Sequence, residues 1–159
     1  MIETIYAKKI VACQNVTNVE KLLQKQSLQI GLNEQNIASF SNESYAILDF
    51  GLEQNGGVRI LAFHAQNTRV RIRFGESLTE CCSELGGKTN ATNDHALRDF
   101  YTNLQDYSDM SFGNTGFRFV RIDFYGDATI KTIVAINQNL KKKAVYAYNG
   151  EDKQIAEIF

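Results

Sequence analysis

Proline is absent from this chain, which excludes Pro-rich linkers and leaves glycine and asparagine to make the turns. Cysteine is scarce and odd in number. Cys13, Cys81 and the adjacent Cys82 offer neither a disulfide framework nor a metal spacing such as C-x-x-C, so reduced thiols are expected. No charge of one sign dominates: 17 basic residues face 18 acidic ones, for a net charge of -1. That balance leaves no electrostatic footprint for nucleic acid or an anionic membrane, and Lys141-Lys142-Lys143 reads as a solvated strand start. Nor does the chain open on a long apolar run. MIETIYAKKIVACQN interleaves charged with apolar residues, so neither a signal peptide nor a membrane span is expected and the chain reads as soluble.

What is present is a run of extended segments. At 159 residues the expectation is a single domain, 1–159, and such a chain buries roughly 70% of its unfolded surface. Thr17 with Glu20 has the capping-box spacing that opens a short helix or turn. Before it, Ile5 to Val11 reads as a strand; after it, Leu28, Ile30 and Leu32 share one face at period two. From Tyr45 the pattern strengthens: YAILDF ends at Gly51, Asn55-Gly56-Gly57 reads as a turn, and VRILAFH resumes the strand. In RVRIRF, Arg69, Arg71 and Arg73 point to a wet face while Val70, Ile72 and Phe74 point to a buried one.

Further strands are expected in RDFYTNL around Phe100, in GFRFVRIDFYG from Gly116, in TIKTIVAI from Thr129 and in KAVYAYN from Lys143. Short strands separated by Gly/Asn turns predict an all-β, antiparallel β-sandwich of the jelly-roll, galactose-binding-like kind, with one or two short helices. The final EDKQIAEIF breaks the rhythm with Ile155, Ile158 and Phe159 at helical spacing. Residues 151–159 are read as the start of a linker helix into a further domain, the alternative being a helix folded back onto the sandwich.

Chemistry is sought first in GGKTNATNDHALRDF, which gathers Asp94, His95, Arg98 and Asp99 between two strands. A glycosidase pair needs two carboxyls about 5 Å or roughly 6.5 to 9.5 Å apart, and Glu76, Glu80, Glu84, Asp94 and Asp99 are available. Spacing in sequence does not establish that distance, and solvated carboxylates are the plainer reading. Asp94, His95 and Asp99 with Asn90 and Asn93 offer oxygen ligands to calcium, without EF-hand spacing; no other cofactor is indicated. The plainer reading there is Asn93 or Asp94 capping a turn, with Arg98 pairing near Asp99 or with Glu76 across the sheet. Ser77, Cys81 and Cys82 lack a strand-turn-helix elbow, and His64 and His95 have no partner assignable from sequence. Sugar binding remains: Tyr107 and Phe112, in the loop-like QDYSDMSFGNTG beside Asp106, Asp109 and Asn114, can stack on a pyranose or fold back on the core.

Taken in order, ILDFGLEQNGGVRIL, VRIRFGESLTE, ATNDHALRDF and NTGFRFVRIDF resemble the β-sandwich domain that precedes the helical catalytic domain of bacterial α-L-rhamnosidase-like glycoside hydrolases. The resemblance covers Tyr45 to Phe124 and carries no catalytic signature. It implies that cleavage belongs to a following (α/α)6 barrel, and that this chain is a non-catalytic accessory domain. Its expected partners are that catalytic domain of the same polypeptide or carbohydrate, contacted by Glu76, Asp94, His95, Arg98, Tyr107 and Phe112. A free-standing carbohydrate-binding module is the alternative, and a small enzyme using Glu76 with Asp94 or His95 a third reading.

Overall fold

The computed structural model describes residues 3–84 and 98–138. The antiparallel all-β sandwich expected from sequence is what forms. Its strands are β1 (Glu3–Tyr6), β2 (Lys9–Thr17), β3 (Ala38–His64), β4 (Thr68–Gly75), β5 (Asp99–Leu104), β6 (Ser108–Phe124) and β7 (Ala128–Asn137). Two short helices accompany them, a 3-10 helix at Val19–Leu23 and α1 at Leu78–Cys82.

The strands run in the order β1-β7-β3-β6-β4-β5, with β2 also on β3. Two layers arise because β3 and β6 serve both. Ser44 to Asp49 of β3 pair with Phe124 to Phe119 of β6 on one edge and with β2 on the other. After a register break between Asp49 and Gln54, β3 pairs with the first part of β6 and with β7. β4 and β5 extend the first layer and β1 closes onto β7 in the second. Gly51 sits in the break at φ 88, a backbone conformation that strains any residue with a Cβ.

Asn55-Gly56-Gly57 therefore lies within β3 and is not the turn its composition suggests. A Cβ on Gly56 would stand 1.9 Å from the Ile136 carbonyl oxygen, and one on Gly57 2.1 Å from that of Phe112. These glycines let β3 pass between its two neighbours.

The alternation in β4 sends Val70, Ile72 and Phe74 into the core, where Phe74 meets Phe117 edge-on at 5.0 Å and Phe40 stacks on Phe124 at 4.0 Å. Each such buried side chain contributes about 1.5–3 kcal/mol. The opposite face of β4 is less wet than its arginines suggest. Arg69 is exposed, but the Arg73 side chain is only 5% exposed, clasped by Asp123 at 2.7 Å and Glu84 at 3.3 Å.

Departures from the sequence reading concentrate near the start. The strand expected over Ile5 to Val11 is split between β1 and β2. Thr17 ends β2, and Asn18, at φ 58, caps the 3-10 helix without a side-chain hydrogen bond. No strand forms over Ser27 to Leu32. Its carbonyls bond to side chains of the adjacent layer instead: the Lys131 ammonium donates to the Gln29 carbonyl at 2.6 Å and the Arg59 guanidinium to that of Leu28 at 3.4 Å. The segments KAVYAYN and 151–159 lie outside the described residues. Among those described, no helix is long and apolar enough to cross a membrane.

Candidate functional site

Four turns and strand ends meet at one end of the sandwich. β3 and β4 are joined by a two-residue turn, Gln66-Asn67, closed by a hydrogen bond from the Thr68 amide to the Ala65 carbonyl at 2.7 Å. Both turn residues have positive φ, 46 and 62, in a tight turn that carries the chain from β3 into β4 although the two strands do not pair, β6 lying between them. Asp106, in the β5–β6 turn, braces it: one carboxylate oxygen accepts from the Ala65 amide at 2.6 Å and the Gln66 amide at 2.9 Å. Those two donors hold the Asp106 carboxyl below the usual range.

The next residue, Tyr107, is pinned by its amide to the Phe63 carbonyl at 3.1 Å and takes φ 51. Its ring meets Phe63 and His64 edge-on at 5.3 and 5.2 Å yet stays 54% exposed. The His64 Nδ1 lies 4.0 Å from the Asp106 carboxylate. Behind His64 runs an open cleft of about 360 Å³, lined by Phe40, Ser41, Gln66, Asp127 and Thr129 among others. An exposed ring, an imidazole, a carboxylate and a cleft edged by hydroxyls and an amide can stack on an apolar sugar face and hydrogen-bond its hydroxyls.

The other expected site residues fall elsewhere. Glu76 and Arg98 meet at the opposite end of β4, where the guanidinium donates to Glu76 at 3.2 Å and also grips Glu80. Glu53 joins them: its carboxylate and that of Glu76 lie 3.4 and 3.5 Å from where a Cβ on Gly116 would stand. Both glutamates are exposed, without the apolar walls that keep a general acid protonated. Phe112 is not in a loop. It lies in β6, half-buried, with its ring 6.2 Å from that of Phe100. Asp94, His95, Asn90 and Asn93 lie outside the described residues. Asp99, the remaining member of the calcium set, is taken by Arg71 at 2.7 and 2.5 Å. Among the described residues no three His, Cys, Asp or Glu side chains converge as metal ligands.

A strand-turn-helix does exist after β4, where the Ser77 hydroxyl caps α1 by accepting from the Glu80 amide at 3.2 Å. In that helix the Cys81 thiol is buried, and burial pushes it up to about 12, which disfavours the thiolate, while Cys82 is exposed. The sequence reading noted His64 and Asp106 without joining them and missed Gln66 and Asp127. The signal available was positional: His64 ends β3 and Tyr107 directly precedes β6, the strand that pairs with β3 there.

No protein-family model matches the sequence, and no curated protein matches it. Solved structures do. A rhamnosidase from Klebsiella oxytoca with rhamnose bound superposes with a TM-score of 0.61 and 13% identity, over 99% of this chain and 33% of that one. A fucose binding module of Streptococcus pneumoniae gives 0.56 and 9%, over 84% of this chain and 94% of that one. The C-terminal domain of a chitobiase from Bacteroides fragilis gives 0.56 and 8%, over 87% of this chain and all, 100%, of that one. At such identities the likeness shows the fold, a galactose-binding-like β-sandwich. The chain spans about a third of the rhamnosidase it matches.

Proposed function

We propose that this chain is a non-catalytic accessory β-sandwich of an α-L-rhamnosidase-like glycoside hydrolase, seated on the catalytic barrel and contacting carbohydrate through the Tyr107 end. The observation that carries the reading is the exposed Tyr107 ring, fixed at a strained φ beside His64 and Asp106 at the turn end of the sandwich. Support for the parent enzyme comes from the rhamnosidase with rhamnose bound, one stretch of which has this fold. In this reading Glu76 and Arg98, with Asp94 and His95 in the following stretch, face the catalytic domain, and residues 151–159 lead toward it.

The test is a titration of the chain with L-rhamnose, L-fucose and their oligosaccharides, followed by amide NMR shifts. Saturable shifts are expected at 63–67 and 105–108, weakened about three- to tenfold in Tyr107→Ala. Shifts confined to other surfaces, or unchanged affinity in the variant, would sink the assignment of this end. A free-standing carbohydrate-binding module is the second reading, favoured by the fucose binding module that this fold matches over 94% of its length. The length of the native polypeptide separates the two.

A further inference from the structure

Arg59, Arg71, Arg73, Arg98, Arg118 and Arg121 each hold a carboxylate. Arg69 holds none among the described residues. It is exposed at the start of β4, and its guanidinium carbon lies 4.2 Å above the ring of Tyr101. The strand register explains the placement. Arg69 stands opposite Asn103 of β5, and the Tyr125 amide donates to its carbonyl at 2.9 Å. Asn103, Arg69 and Tyr125 thus form one row across the outer face, and Tyr101, Arg71 and Asp123 form the next.

The result is a partly exposed aromatic pair with Arg69, and at 5.6 Å Arg71, over the Tyr101 ring. The Tyr101 and Tyr125 rings are 5.9 Å apart, inclined at 38°, and 48% and 46% exposed. Beside them the Asn67 side-chain oxygen accepts from Asn103 at 3.1 Å and Gln105 at 2.7 Å, leaving the Asn67 amide nitrogen and the Asn103 amide oxygen with no partner among the described residues. The nearby carboxylates are spent, Asp99 on Arg71 and Asp123 on Arg73 and Arg121. One uncommitted cation on a tyrosine pair, edged by amides, matches a ligand with an apolar ring face, hydroxyls and a single anionic group. A polyanion would need several such cations, and the net charge of -1 argues against one.

We propose that Arg69, Tyr101 and Tyr125, with Asn67 and Asn103, form a saccharide site on the sheet face for an acidic sugar. The uronate ring lies against the Tyr125 side of the pair, its carboxylate takes two N–H groups of Arg69, and its hydroxyls take the amides. The site adjoins the Tyr107 end at the turn residue Asn67 but uses none of Tyr107, His64 and Asp106, and it does not depend on the function proposed for them.

Trimers of galacturonate, glucuronate and mannuronate, each also as its methyl ester, are the probes, read by calorimetry and amide NMR. At least one acid trimer is expected to bind saturably, with shifts at 67–71, 101–105 and Tyr125. Binding should fall about tenfold in Arg69→Gln and about tenfold on esterification, weaken with added salt, and persist in Tyr107→Ala. Arg69→Lys keeps the charge without the fork and should fall between. Arg69 is exposed, so the variants keep the parent NMR spectrum elsewhere. Equal binding of acid and ester, unchanged affinity in Arg69→Gln, or no binding of any acid trimer overturns the proposal. Loss of acid binding in Tyr107→Ala alone overturns it too and leaves the turn-end site standing, whereas failure of neutral sugars with this pattern intact removes only that other site.

Discussion

Tyr107 and Phe112 belong to one string, QDYSDMSFGNTG, and the structure gives them opposite fates. Tyr107 occupies a turn at φ 51 with its ring held out; Phe112 falls in β6 and packs toward the core. The sequence shows two aromatics among polar residues, and in the run Ser108 to Asn114 the alternation is only Met110 and Phe112, too short beside Gly113 and Asn114 to announce that a strand has begun. Its pairing with β3 supplies the order that alternation does not. The turn residue Gln66, at φ 46, shows the complementary feature, a side chain that tolerates the left-handed region poorly where asparagine tolerates it well. Gln66→Asn is expected to stabilise the protein by about 0.5 kcal/mol, roughly 1–2 °C in Tm. A lower melting temperature in the variant would show that the glutamine side chain earns its place through contacts along the cleft.

Among the elements, β4 and β5 were legible because apolar and polar residues alternate along them, and β7 because its β-branched run is bounded by turn signals. The continuity of β3 was not. Asn55-Gly56-Gly57 has the composition of a turn, and only the closeness of Ile136 and Phe112 shows that glycine serves packing there. The segment between the 3-10 helix and β3 was misread for a related reason: Leu28, Ile30 and Leu32 alternate, yet a buried lysine holds that chain by side-chain bonds. Lys131, with its Nζ 2.6 Å from both the Gln29 carbonyl and the Glu34 carboxylate, fastens it to β7. Lys131→Met should destabilise by about 2 kcal/mol, because the half-enclosed Glu34 charge loses its partner. Amide exchange over 24–36 should then quicken more than elsewhere. Adding Glu34→Leu should restore part of the stability, since both charges are gone; a double variant weaker than the sum of the singles would mean that the segment is held by something other than this pair.

Across the whole molecule the ionisable groups set a window of pH in which the fold is most stable. Asp49 is held below the usual carboxylate range chiefly by Arg118, and Asp109 by Arg59, each through bonds between side chains. A carboxyl with a depressed folded pKa binds its proton more readily in the unfolded chain. Its contribution is therefore present above the unfolded value of about 4 and is lost as pH falls through the folded one. At the alkaline side the sign reverses for Cys81, whose thiol burial pushes up to about 12: the unfolded chain, with an ordinary thiol near 8.5, releases its proton first, and stability declines as pH rises past that value. Thermal melts are expected to be level from about pH 5 to about pH 8 and to fall on both sides. Asp109→Asn should make the acid limb shallower while leaving the alkaline limb alone. Cys81→Ala should lower the plateau through the lost packing against Ile47 and Phe119 and remove most of the alkaline decline. The two limbs thus belong to different groups, the acid one to carboxylates held by arginines, by Lys131 and, at Asp106, by backbone amides, the alkaline one chiefly to the buried thiol of α1, and an acid limb equally steep in Asp109→Asn would count against a share for the Arg59 pair.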